Sequence, residues 1–201
     1  MAAKDPKRGL EYNMKDLWIE SMLLLPAGAD TTSTTMSAAF YLLHNPDALS
    51  RATAELKDCK ILQACIDETM RLVPAVPLAS PRHVEAGGLT VGGDYLPEGT
   101  IVGTSLYTMQ RHPAYFDRSD SFCPERWLSD PGTGVTKEMV NRSLHAFSPF
   151  GIGPWTCVGW KLGWMELNLT LARTLFLYDL RLAQEPPAVP AHRPGQSVNT
   201  T

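Results

Sequence analysis

The stretch from Lys15 to about His44 constrains the fold most. Between Ser21 and Leu43 the only charged side chain is Asp30, and Leu17, Ile19, Met22, Leu25, Met36, Phe40 and Leu43 spread apolar surface over most sides of a helix. Such a helix expects neighbours on all sides, so it belongs in the middle of the molecule. Length alone would also permit a membrane span. A carboxylate at the midpoint costs ~2.5–3.5 kcal/mol on insertion, however, and the run also holds Pro26, Gly28 and a Thr/Ser cluster. A buried core helix is the better reading.

The remaining pattern is mostly helical. His44-Asn45-Pro46 is a stop followed by a new start, Asp47 to Lys57 regains helical spacing, and Ile61 to Leu72 is a third helix closed by Pro74, Pro77 and Pro81. Residues 82–108 change to short β-like runs separated by Gly-Gly and Pro-Glu-Gly turns, which predicts one small antiparallel sheet. A helix-poor region rich in Pro, Gly and Ser leads to Phe150, Val158 to Leu180 is a strong helix, and 181–201 reads as an unstructured tail. Residues 1–14 form a lead-in without the apolar core of a signal peptide. The expected organisation is one domain over 15–180, mainly α with a small antiparallel β-sheet.

Composition excludes some functions. Hydrophobic residues make up 44% and charged residues 19%, as in a globular protein with a sizeable core, and 18 Lys and Arg against 21 Asp and Glu leave a net charge of -3. No basic excess points to nucleic acid or an anionic membrane. Cys59, Cys65, Cys123 and Cys157 are too sparse for a disulfide framework and come with no secretory signal, so free thiols in a reducing, intracellular compartment are expected.

Four segments carry chemistry. Glu68 and Arg71 lie three apart on one helix face and can form a charge-assisted pair, which taken alone is most often a surface salt bridge. In PAGADTT, small Ala27 and Gly28 precede Asp30, Thr31 and Thr32; a ligand could approach the backbone there and an acid beside a hydroxyl can relay protons, or the step is merely a kink between packed helices. FCPERW offers Arg126 to a carboxylate elsewhere. FGIGPWTCVG surrounds Cys157 with Phe150, Gly151, Gly153 and Gly159, although a lone cysteine is usually a small buried hydrophobe.

In this order, AGADTT, ETMR, PERW and FGIGPWTCVG resemble the cytochrome P-450 haem-thiolate monooxygenases over about Leu17 to Leu180, and GPWTCVG with PLASPR resembles fungal members. The resemblance implies the C-terminal part of that fold, haem b (iron protoporphyrin IX), O2, a small lipophilic substrate, and electrons from NADPH through a reductase. Cys157 would then be the thiolate ligand of the metal, pushing electron density onto iron to favour O–O cleavage. Glycine turns would let loop N–H groups point at the sulfur, and Phe150 would pack under the macrocycle. Asp30 and Thr31 would be the catalytic acid–alcohol pair, with Ala27 and Gly28 making room for O2. Glu68, Arg71 and Arg126 would form a structural triad. Arg82 would pair with a haem propionate, with His83 a weaker choice.

Departures accompany the likeness. Trp155 stands where the family usually has Arg or His to hold a propionate; an indole N–H carries no charge, so that contact is expected to weaken. Gly163 stands where Ala is common. The chain opens at the family's long central helix, shows a gap near Lys57 to Ile61, and ends in a tail unlike the family's final strands. The N-terminal half of the fold, with the membrane anchor that would set the full-length parent on the cytoplasmic face of the endoplasmic reticulum, is expected to be missing. The rival reading is a catalytically inactive remnant acting at most as a helical interaction module.

Overall fold

The structure, a computed structural model, describes residues 3–5, 10–43, 45–54, 60–78 and 80–180. The lead-in is not featureless: β1 (Ala3–Asp5) and β2 (Leu10–Tyr12) pair antiparallel, with Ala3 opposite Tyr12. Helix α1 (Met14–Leu42) starts at a capping box, in which the Asn13 side chain accepts from the Lys15 and Asp16 amides while the Asp16 carboxylate accepts from the Asn13 N–H. It continues through Pro26, which has no N–H to donate to the Met22 carbonyl.

Helix α2 is described over Pro46–Ala54, the rest of the expected run to Lys57 lying outside the described residues, and α3 (Lys60–Leu72) matches its expected span. The gap read near Lys57 to Ile61 lies largely outside the described residues, as do Cys59 and the tail 181–201. The small sheet is corrected to two separate ladders. Strands β3 (Arg82–His83) and β6 (Ile101–Val102) pair with Arg82 opposite Val102, while β4 (Leu89–Val91) and β5 (Asp94–Leu96) form a hairpin. That hairpin turns on Gly92 and Gly93, both at positive φ, as a two-residue turn requires.

The last of the β-like runs expected over 82–108 ends instead in a short α4 (Leu106–Met109), and the region expected to be helix-poor contains a 3-10 turn at Pro124–Trp127 and a regular α5 (Lys137–His145). A signal for α5 was present: Thr136 caps it by accepting from the Met139 amide, and Glu138 sits in its first turn. A second 3-10 turn, Gly153–Trp155, precedes α6 (Trp160–Leu177).

The centre of the molecule is α3, not α1. Ile61, Leu62, Cys65, Ile66 and Met70 of α3 form one core with Ala39 and Leu43 from the end of α1, Ala48 and Ala52 of α2, and Leu167, Leu171 and Leu175 of α6. α1 buries only Thr35 and Ala39, while Trp18, Ile19 and Met22 to Leu25 stay more than half exposed. Its apolar surface was read correctly; the neighbours assumed for its N-terminal half are not among the described residues.

A polar knot joins α3 to the irregular segment that follows the strands. Glu68, fully buried, accepts at Oε1 from Arg71 Nη2 (2.9 Å), the Cys123 amide (2.9 Å) and Arg126 Nε (3.1 Å). Its Oε2 accepts from Arg71 Nε (2.9 Å), Arg126 Nε (3.0 Å) and Trp127 Nε1 (3.0 Å). Two guanidiniums against one carboxylate leave an excess positive charge, which backbone carbonyls absorb: Arg71 donates to those of Gln110, Ser119 and Ser121, and Arg126 to those of Asp117 and Arg118. Trp127 was quoted in the sequence motif, but its role as a donor to Glu68 was not seen. Its indole lies 4.6 Å from the Phe147 ring centre, so one residue serves knot and core.

Removing one partner of such a knot strands a buried charge. Arg126→Met is therefore expected to cost ~3–5 kcal/mol in urea denaturation; a loss below ~1 kcal/mol would show that the irregular segment 110–123 holds without it. Next to the knot, burial pushes the Asp67 carboxyl up from 3.8 to about 7, opposed by a hydrogen bond from Gln63 and aided by the nearby Glu68 charge. Between those values the folded chain keeps a proton that the unfolded chain has lost. Stability is then full below about pH 4 and falls as pH rises towards 7, by at most ~1.4 kcal/mol per pH unit. Thermal unfolding against pH should show this slope, and Asp67→Asn should flatten it.

Candidate functional site

The cysteine loop is a chain of tight turns. Gly151 and Gly153 adopt φ of 74° and 68°, a region that side-chain-bearing residues avoid, and the Gly151 amide donates to the Ser148 carbonyl (2.9 Å). Pro154 lies within the 3-10 turn, and both the amide and the hydroxyl of Thr156 return to the Gly153 carbonyl, at 3.1 and 2.8 Å. The Cys157 amide donates to the Phe150 carbonyl at 2.8 Å, closing the loop. Among the described residues no N–H reaches the sulfur. Within the loop the Gly151, Thr156 and Cys157 amides are engaged with the carbonyls of Ser148, Gly153 and Phe150, while those of Val158 and Gly159 make no hydrogen bond among the described residues.

What the loop does deliver is an accessible thiol. Cys157 is exposed, whereas Cys65 and Cys123 are buried. Burial pushes the Cys65 thiol up to about 12, which makes it inert. Gly159 then leads into α6, whose unpaired N-terminal amides favour an anion at that end. A Cβ at Gly159 would stand 3.8 Å from Cys157 Sγ, ordinary contact. Phe150 is half-buried against α6, its ring 6.1 Å from that of Trp164, so it anchors the loop to the core helix.

Arg82 and Trp155, far apart in sequence, meet. The guanidinium lies over the indole at 5.2 Å from its centre, while Nη1 donates to Ser80 Oγ (3.0 Å) and the Pro81 carbonyl (2.9 Å). His83, beside Arg82 on β3, is exposed and pairs through its backbone with Ile101.

Ala27, Gly28, Asp30 and Thr31 share one stretch of α1. Gly28 has nothing within 4 Å of where a Cβ would be, Asp30 is exposed, and half-buried Thr31 donates its hydroxyl to the Ala27 carbonyl at 2.7 Å. Among the described residues no hydrogen bond or ion pair joins this stretch to the cysteine loop. Glu68, Arg71 and Arg126 lie together in the knot described above.

Similarity to known proteins agrees with this arrangement of segments. The family model for cytochrome P450 matches residues 1–200. The cytochrome P450 monooxygenase atnE of Emericella nidulans is 37% identical over 199 residues, covering 90% of this chain and 38% of its own length. Cytochrome P450 monooxygenase apf8 of Gibberella fujikuroi is 36% identical, covering 91% and 54%. The trichothecene C-15 hydroxylase of Fusarium sporotrichioides is 34% identical, covering 88% and 38%. The chain thus spans roughly two-fifths to one-half the length of these fungal relatives, and with a family match along almost all of its residues it belongs to the cytochrome P450 family.

Proposed function

We propose that this chain is the haem-binding portion of a monooxygenase that inserts one atom of O2 into a small lipophilic substrate, with electrons from NADPH through a reductase partner. The observation that carries this reading is the exposed Cys157 thiol, presented by a glycine-turned loop while Cys65 and Cys123 are buried. Haem with a thiolate ligand supplies dioxygen activation when bound. The donor set suits it: the loop from Phe150 to Gly159 offers one exposed thiol and no other metal-ligating side chain beside it.

The chain's own residues divide the remaining work. Cys157 offers the sulfur and Phe150 fixes the loop that carries it. Gly28 leaves open space beside α1, which suits a small ligand. Thr31, its proton committed to the Ala27 carbonyl, keeps lone pairs free to accept a hydrogen bond, and Asp30, next to it in the chain, is the acid of the pair. Passing a proton onward requires the hydroxyl to turn away from Ala27. The relative named as a C-15 hydroxylase supports hydroxylation as the reaction class. Attachment of the longer protein to the cytoplasmic face of the endoplasmic reticulum belongs to the same reading; no described helix is long and apolar enough to cross a membrane.

One observation favours a second reading, in which the chain by itself holds no haem and turns nothing over. The apolar N-terminal half of α1 is bare, with Leu23 and Leu25 65% and 71% exposed.

Haemin titration with dithionite and carbon monoxide separates the two. The first reading expects a thiolate-type reduced carbon-monoxide band that disappears in Cys157→Ser, and a band that survives this change would overturn the ligand assignment. Iodoacetamide should modify Cys157 ahead of Cys65 and Cys123 in the haem-free chain, with haemin protecting it. No band and no protection would leave the second reading.

A further inference from the structure

We infer that Trp155 is a positioning residue: its indole face holds the Arg82 guanidinium so that the free edge of Arg82 receives a haem carboxylate. This rests on the haem reading above and goes beyond it, because it gives the residue that replaces a charged partner a function through stacking.

The geometry has three parts. First, the Arg82 guanidinium sits 5.2 Å from the centre of the Trp155 ring, inside the range of cation–π attraction. A guanidinium is planar and weakly hydrated, which suits it to an aromatic face. Second, Nη1 is tied to Ser80 Oγ and the Pro81 carbonyl. The Nε and Nη2 donors make no hydrogen bond among the described residues. Those two N–H groups are the side-on edge of the fork, the edge that takes a carboxylate in two parallel bonds. Third, both supports are built. Arg82 is in register with Val102 on a strand pair, and Trp155 ends a 3-10 turn that Pro154 and Thr156 hold.

A long arginine side chain on the surface loses rotamer freedom when it binds, and that loss weakens binding. Held between the indole and its two Nη1 acceptors, Arg82 has lost much of this freedom beforehand. The pair is open on its other side: Trp155 is 75% exposed and Arg82 is exposed. An arginine at 155 would instead set two like charges against each other. Trp155 therefore does more than leave a propionate short of a donor, which is what the sequence alone suggested.

The test is a double-mutant cycle in the full chain loaded with haemin, read as the rate of haem transfer to excess apomyoglobin. Trp155→Leu is expected to speed haem loss about two- to five-fold, Trp155→Phe to restore most of the retention because a ring remains, and Arg82→Met to speed loss by at least as much as Trp155→Leu. The double variant Arg82→Met/Trp155→Leu should lose haem no faster than Arg82→Met alone. With haemin dimethyl ester, which has no carboxylate, all five proteins should release the ligand at similar rates. Equal thermal unfolding temperatures of the apo-proteins would exclude a general loss of structure at these exposed positions. Additive effects in the cycle, Phe no better than Leu, or an unchanged spread of rates with the ester would each overturn the inference while leaving thiolate ligation intact. Absence of haemin binding by the unsubstituted chain would overturn it together with the haem reading.

Discussion

The Glu68 carboxylate, with donors on both oxygens and none of its surface in water, is the constraint from which the rest of the arrangement follows. A buried carboxylate is tolerable only when its lone pairs are satisfied, and an unbalanced second guanidinium only when carbonyl dipoles surround it. The first demand is met by the side chains of Arg71, Arg126 and Trp127 with the Cys123 amide, the second by irregular backbone between Gln110 and Ser121. That segment has little regular structure of its own, yet Arg71 and Arg126 engage five of its carbonyls. Loop conformation there is a product of electrostatics more than of local propensity.

The same helix that carries the knot carries the core. One face of α3 offers Glu68 and Arg71 to the irregular segment 110–123, and other faces offer Leu62, Ile66 and Met70 to α1, α2 and α6. Leu167, Leu171 and Leu175 seat α6 on that core, and Phe150 against Trp164 ties the cysteine loop to α6. The position of the Cys157 sulfur thus depends on a chain of packed contacts leading back to Glu68. Tight packing lets such a chain transmit position, because close-packed interiors deform little.

Burial divides the molecule by role. Cys65, Cys123 and the knot lie inside, while Cys157, Arg82, Trp155, Asp30 and Gly28 face open space. Most buried polar groups are spent on each other, the Gln110 Oε1 and Arg111 Nη1 atoms being buried without a partner among the described residues. The exposed residues keep a free valence: a thiol without a donor, a guanidinium edge without an acceptor, a glycine without a neighbour.

The sequence by itself determined the local elements and the motif chemistry. Helical spacing marked α1, α3 and α6, Pro74 closed α3, and the glycines around Cys157 announced a loop, because each depends on residues within a few positions of one another. Helix α5 was legible too, in the cap at Thr136, but its short apolar pattern was lost among Pro, Gly and Ser. Only the tertiary structure decided that α3 and not α1 is the centre, that Trp127 donates to Glu68, that the strands between 82 and 102 form two ladders, and that Arg82 lies on Trp155. These are contacts between residues distant along the chain. Local spacing carries no information about them, since which polar atoms and apolar faces meet is settled only when the whole chain competes for the same partners.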